Sequence, residues 1–566
     1  MVTGHGGGMS AVALPPPEEI LPPCSEQRPI SRLRGALRRI DGWGPVAWRE
    51  ILGAWRFPHG VLVVTVPEDG AEDERILWLV IDHGLGVAAP VATADWVLRA
   101  AREALLSKSP VRLWTLDPGS DVRPTTACFV HQGRLHLRLH VELPYFGMCL
   151  DAKGFGRLVR RLEGFAADLA DVRPRPSLQR QRRTVAVAQA LRAALPAHGL
   201  VAFAARGARL PRTAGSKPLR LPPALAITID LGRLGRITGW GIRAGVTVIT
   251  GAPYHGKSTV LQALQAGICD HPPGDGRELV VADPSALLVQ AEDGRPVRHQ
   301  DLTAFFTRLP GCNAHDFSTT RASGATSMAA SVLQGAAAGC RLLLVDEDSA
   351  ASNFLLIDPV MRKLLGTSLH GTKTLLEVLP DLARQGISTI LVAGSNGHAL
   401  TVADHVVAMV GWQPQVVQRP RRPRLSPKAS LPSALALPQR ILQLPAAAVF
   451  GQRHFVPLDL REPERPRLKL PPVRGDDGWR MIDLRRTGWI LDAALVAGAI
   501  QAAAWCCRLG SGLPMDEIGR RYAALIAAGP AALDPFHSTL LAVPPWQLVV
   551  TVLERLPCQA TVSRPS

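Results

Sequence analysis

Gly251, Gly256, Lys257 and Ser258 stand in the order G-x-x-x-x-G-K-S inside VTVITGAPYHGKSTVLQAL, after a β-branched run and before a stretch of helical periodicity. These residue types at this spacing suit the cradling of a polyphosphate. Phosphate oxygens must approach main-chain N–H groups closely, so glycines have to wrap the loop, and the following helix points its N-terminal dipole at the charge. Lys257 is expected to bridge the β- and γ-phosphates and the Ser258 hydroxyl to take a position on Mg2+. The candidate nucleotide-binding set is therefore Gly251, Ala252, Pro253, Tyr254, His255, Gly256, Lys257, Ser258 and Thr259. With only eight lysines in the chain a chance match is rare. The competing reading is a Gly-rich turn with a solvated lysine.

A polyphosphate site needs a carboxylate at the end of a buried strand. RLLLVDED (341–348) supplies two: Asp346 as the expected magnesium partner and Glu347 to polarise the attacking water. Apolar strands ending in acids are common, so the pair gains its weight from the loop. Just upstream, ASGATSMAASVLQGAAAG has Ser323 and Gly324 opening a helix that runs into the acidic strand. A hydroxyl and a bare glycine at a helix N-terminus form a natural anion seat. An ordinary serine N-cap is the alternative.

The elements that must position these groups are legible as texture. From about 226 to 412, VTVIT, ELVVAD, RLLLVDED, STILVAG and DHVVAMV alternate with helix-length segments, which predicts an α/β core with a largely parallel sheet. Around it the expected organisation is a disordered tail (1–30), an α+β domain (31–172), a basic helix and loop connector (173–225), the core (226–412), a basic Pro-rich linker (413–475) and a mainly helical C-terminal region (476–566). In the α+β domain HLRLHVEL (136–143) alternates apolar and polar residues and reads as a half-buried strand.

Composition removes several classes of function. At 566 residues the chain has room for about three or four domains. No uninterrupted apolar run reaches about 18 residues; the nearest, Trp489–Cys507, contains Asp492 and Gln501, so a channel or a transporter with its own membrane domain is not expected. The start of the chain lacks a signal-peptide pattern. The nine cysteines form no CxxC pair, which predicts reduced thiols in a cytoplasmic protein rather than disulfides or a zinc site.

The stretches GDGRELVVADPSALLVQAEDGRPVRHQDLTAFF, ASGATSMAASVLQ, LLLVDEDSAASNFLLIDPVMRKL and GISTILVAGSNGHALTVADHVVAM resemble the stand-alone predicted ABC-class ATPases, P-loop NTPases that work without transporter subunits. LRRIDGWGPVAWREILGAWRF (33–57), GLVAFAARGARLPR (199–212) and MIDLRRTGWILDAALVAGAI (481–500) are similar to the same family, so the resemblance spans most of the chain. It implies an ABC-type core hydrolysing Mg-ATP between the two subunits of a homodimer, with Ser323 and Gly324 reaching the γ-phosphate bound to the other subunit. It also implies an association with nucleic acid, particularly RNA, and single-stranded RNA or another nucleic acid is the expected partner.

The sequence departs from the wider ABC pattern at several places. Tyr254 stands where many ABC loops have a third glycine, with His255 following, a pair that the stand-alone family tolerates, and the signature reads SGATS rather than SGGQ. Asp348 follows the acids where proline is common, and Asn353 falls where the dimer-coupling loop often has Asp. Ala393-Gly394-Ser395-Asn396 stands where a γ-phosphate-sensing histidine is expected. Ser395 is a candidate to orient water there, and His398 reads as a loop histidine. Gln300, 43 residues after Lys257, falls near the γ-phosphate-sensing glutamine, with Asp301 an equal alternative. Only 23 residues separate Gln300 from Ser323, which argues against a transporter-gripping subdomain.

The net charge of +17 and the acid-free stretches 173–229 and 405–458 suit phosphate-backbone contacts. Trp479 and Trp489 lie near the second, but no aromatic–basic repeat accompanies them. Arginine bias of the genome and partner docking through the proline-broken RPRRPRLSPK (419–428) are the alternatives. Two functions stay open: an ATPase acting on nucleic acid, and a nucleotide-gated scaffold with little turnover.

Overall fold

A computed structural model describes residues 26–66, 74–417 (apart from 87, 108, 110, 147, 148, 214 and 367–370), 437, 440–442, 444, 467–470, 480–484, 487, 489, 492–534 and 541–556. Its central sheet has six strands in the order Leu287–Val289, Leu342–Asp346, Ser388–Val392, Val246–Thr250, His405–Val410 and Gln413–Val416. The first five run parallel. Parallel strands covered by helices on both faces carry apolar residues at every position, and Leu342, Leu343, Leu344 and Val345 are all fully buried. The register sets Asp346, Val392, Ile249 and Val407 side by side, so the loops after these four strands emerge on one edge. Gln413–Val416 returns antiparallel through a two-residue turn, Gly411–Trp412, both with positive φ (54° and 68°). That is the conformation whose twist matches a hairpin.

A second, antiparallel sheet runs Ala226–Asp230, Arg236–Arg243, Leu200–Ala205, Val280–Ala282. The ELVVAD run was expected among the parallel strands and belongs here instead. A short β-branched run buried on both faces reads the same in either kind of sheet, and the partner that claims it, Leu200–Ala205, is itself buried throughout. That partner comes from the segment expected to be a connector, and the helix Pro176–Ala194 of the same segment buries Ala188 and Leu191 against this sheet.

The N-terminal part is a seven-stranded sheet, with Arg134–Glu142 central and helices Ile30–Ile40 and Ala152–Ala170 packed on one face. Arg134–Glu142 is buried along both faces rather than half-buried. The reason lies far away in the chain. Helices Ala493–Arg508, Met515–Ala527 and Trp546–Leu553 share one apolar core with Val61, Val63, Trp78 and Phe129 of this sheet and cover its second face. The buried charge of the strand is paired there: Arg138 meets Asp534 at 3.0 Å and stacks over Trp78 at 4.1 Å. The expected linker contributes the edge strand Gln413–Val416 and the pairing of Ile441–Leu442 with Leu513–Pro514; the tail 1–25 and RPRRPRLSPK lie outside the described residues. No helix among the described residues is long and apolar enough to cross a membrane, and the described cysteines are free.

Candidate functional site

The glycine loop joins Val246–Thr250 to the helix Lys257–Ala266. Gly251 (φ 135°) leaves no room for a side chain: a Cβ there would fall 2.4 Å from the Met409 carbonyl oxygen. Gly256 (φ 93°) caps the helix in the left-handed region, and a Cβ on it would fall 2.7 Å from Cε3 of Trp412. Both glycines are thus required by backbone conformation and by close approach. Ser258 and Thr259 occupy the first helical turn. Lys257 folds back over the loop, its Nζ donating to the carbonyls of Gly251 (2.8 Å) and Ala252 (3.0 Å). Tyr254 (φ 62°) stands 94% exposed at the apex, and His255 Nδ1 accepts from the Gly411 N–H at 3.3 Å, tying the loop to the neighbouring hairpin.

Two strands away Asp346 ends its strand and accepts from the Asp348 N–H (3.3 Å). Glu347 turns toward the loop that follows Ser388–Val392. Its Oε2 accepts from the N–H groups of Gly394 (2.7 Å) and Ser395 (3.1 Å), and its Oε1 accepts from Ser395 Oγ (2.8 Å). Burial raises the Glu347 pKa, but the bonds from the Ser395 hydroxyl and the Ser395, Gly394 and Asn396 backbones outweigh it, so the carboxyl sits below its ordinary value. A Cβ on Gly394 would lie 3.7 Å from Lys257 Nζ, so ammonium, peptide and carboxylate meet at one edge of the sheet.

Not every expected residue joins them. Ser323 is exposed and caps the helix Gly324–Ala337, accepting from the Thr326 N–H at 3.3 Å, so the N-cap geometry is real whatever else the residue does. Gly324 is buried against Asp293, Ala351 and Ala291. Gln300 is 2% exposed in the hairpin formed with Phe317–Thr319, its amide donating to the Asp301 carbonyl (3.1 Å), while Asp301 caps Thr303 (2.8 Å). Among the described residues no bond ties Gln300 to Lys257, Ser258 or Glu347. His398 donates its N–H to Asn396 Oδ1 (3.0 Å) at the start of a short helix, as a loop histidine would.

One cluster was not legible in the sequence. Beneath the Gly324–Ala337 helix, Arg295 donates to the Ser327 carbonyl (3.0 Å), Ser331 Oγ (3.0 Å) and Gln334 Oε1 (3.1 Å). Burial pushes its pKa down to about 10. Arg555 from the C-terminus grips Glu292, whose N–H bonds Ser327 Oγ (3.0 Å). Glu554 accepts from Gln334 (3.1 Å) and Arg440 (2.8 Å), and Arg440 also donates to the Arg298 carbonyl (2.8 Å) beside Gln300. Two of these links, Gln334–Glu554 and Arg555–Glu292, span 220 and 263 positions and leave no local pattern to read.

Residues 174–430 match the family model ABC_ATPase, P-loop domain. A protein of Methanocaldococcus jannaschii, itself described as uncharacterized, is 34% identical over 202 residues, 34% of this chain and 43% of its own length; the chain thus spans less than half of that relative. Among solved structures the chain is similar to cbiO1 of Clostridium perfringens, part of the ABC transporter complex cbiONQ, at 15% identity and a TM-score of 0.25, covering 38% of this chain and 88% of that one. It is also similar to a metal-chelate type ABC transporter in an inward-facing conformation, at 14% identity and a TM-score of 0.23, covering 39% and 84%.

Proposed function

We propose that the chain, whose residues 174–430 match the ABC_ATPase P-loop domain model, binds and hydrolyses Mg-ATP at the glycine loop, between the two subunits of a homodimer, and acts on nucleic acid. The single observation that carries the hydrolytic part is the pair of oxygens on Glu347, held by Ser395 and by Gly394, the residue that Lys257 approaches. A carboxylate fixed and kept ionised in this way is suited to accept a proton from an attacking water. The residue types fit the metal as well: the main chain at Gly251 and Gly256 takes the wrapped form that only glycine allows there, and the Ser258 hydroxyl and Asp346 carboxylate are hard oxygen donors of the kind magnesium takes. These two would hold Mg2+, which when bound neutralises phosphate charge. Lys257 would exchange its two loop carbonyls for phosphate oxygens. Ser323, exposed at the helix N-cap, and the main chain of the buried Gly324 beside it would complete the partner's site.

The test is steady-state ATP hydrolysis alongside nucleotide binding. Glu347→Gln is expected to lower turnover about 100-fold or more while binding persists, and Lys257→Ala to abolish binding. Unchanged turnover in Glu347→Gln would remove the base from this assignment.

A second reading, a nucleotide-gated scaffold with little turnover, draws on the same contact. Ser395 occupies the strand end with a hydroxyl that bonds Glu347 itself, so both carboxylate oxygens already hold donors. Turnover well above background, lost in Lys257→Ala, would dismiss it.

A further inference from the structure

Resting on the reading that the glycine loop holds a nucleoside triphosphate, we propose that Trp412 is the platform for its purine base. Strand order gives the direction. On one side of the loop strand Val246–Thr250 lie Ser388–Val392, followed by Gly394 and Ser395, and then Leu342–Asp346 with Asp346 and Glu347. On the other side lies His405–Val410, ending in Gly411–Trp412. Neighbouring strands are about 4.8 Å apart. A triphosphate whose terminal group points at Glu347 must send its ribose and base the opposite way, over the Gly411–Trp412 turn.

What waits there is built for a flat apolar ring. The six-membered ring of Trp412 lies against Gly256: a Cβ on that glycine would fall 2.7 Å from Cε3, 3.2 Å from Cδ2 and 3.3 Å from Cζ3. The indole nonetheless remains 40% exposed. Its backbone sits at φ 68°, in the second position of a turn that favours glycine. A bulky residue kept in that conformation marks a side chain retained for its own sake. The turn is also fixed to its surroundings. His255 Nδ1 accepts from Gly411, Gln413 Oε1 accepts from the Arg220 N–H (2.7 Å), and Gln413 Nε2 donates to the Pro218 carbonyl (3.2 Å). The ring is therefore held in place before any ligand arrives, which lowers the ordering cost of stacking.

The experiment compares Mg-ATP with Mg-tripolyphosphate, which has the same phosphate chain and no base, by calorimetry on the full chain. In Trp412→Ala the affinity for ATP should fall about tenfold or more, the scale of one lost base–aromatic contact, with tripolyphosphate affinity unchanged. Trp412→Phe should restore ATP binding. Retained tripolyphosphate binding doubles as the check that the variant folds. An equal loss for both ligands, or no loss for either, overturns the platform alone, as does the same ATP-specific loss in Tyr254→Ala with Trp412→Ala unaffected. Failure of the unaltered protein to bind both ligands overturns the glycine-loop reading and the platform with it.

Discussion

Glu347 shows how a single carboxyl is tuned by competing terms. Partial burial disfavours its charge, three N–H donors and one hydroxyl favour it, and the donors prevail. The sign follows: a carboxyl depressed in the folded state adds stability that is present above its unfolded pKa and fades as pH falls through the folded value. Removing one donor must raise that folded value. Ser395→Ala is thus expected to move the acidic limb of the kcat–pH profile to higher pH, because the hydroxyl donating at 2.8 Å is lost while the Gly394 and Ser395 N–H groups stay. A limb that does not move would mean that Ser395 does not set the base. The candidates at this scale were the most legible in the sequence, since Gly251, Gly256, Lys257, Asp346 and Glu347 each lie within a few positions of the feature that gives them meaning. Gly394 and Trp412 escaped because their contacts come from adjacent strands.

Elements were legible where their period came from their own residues and misread where a distant partner set it. The parallel strands Val246–Thr250, Leu342–Asp346 and Ser388–Val392 announced themselves by unbroken apolar content. Arg134–Glu142 did not, because its alternation of apolar and polar residues describes a face open to water, whereas the C-terminal helices close that face. The cost of closing it is a buried charge, and the Arg138–Asp534 pair offsets it with both side chains no more than 2% exposed. Removing one member strands the other in an apolar layer, which costs about 3–5 kcal/mol. Asp534→Ala should therefore lower the urea midpoint of the unfolding transition that includes this sheet, and Arg138→Met combined with Asp534→Leu should recover much of the loss. Equal midpoints for the unaltered protein and Asp534→Ala would show that the helices do not cover the strand in solution.

At the scale of the whole molecule, the charge of +17 invites a polyanionic partner, yet the fold consumes much of the local excess. Of the eleven basic side chains in 173–229, Arg173 and Arg175 pair with Asp168, Arg192 with Asp270 and Arg212 with Asp275, while Arg182 and Arg209 bond backbone carbonyls. Arg180, Arg183, Arg206, Lys217 and Arg220 are exposed, and their side chains make no ion pair among the described residues. Each contact to a single-stranded phosphate steepens the salt dependence of binding by about 0.7 in log–log slope, so these five set a slope of about −3.5 per chain. Anisotropy of a labelled single-stranded RNA, titrated at salt from about 50 to 200 mM, checks this directly. Arg180→Gln with Arg183→Gln should flatten the slope by about 1.4 without altering ATP binding, since neither touches the glycine loop. A flat slope in the unaltered protein would assign the surplus basic side chains to solvation and leave the glycine-loop core without a nucleic-acid partner on this surface.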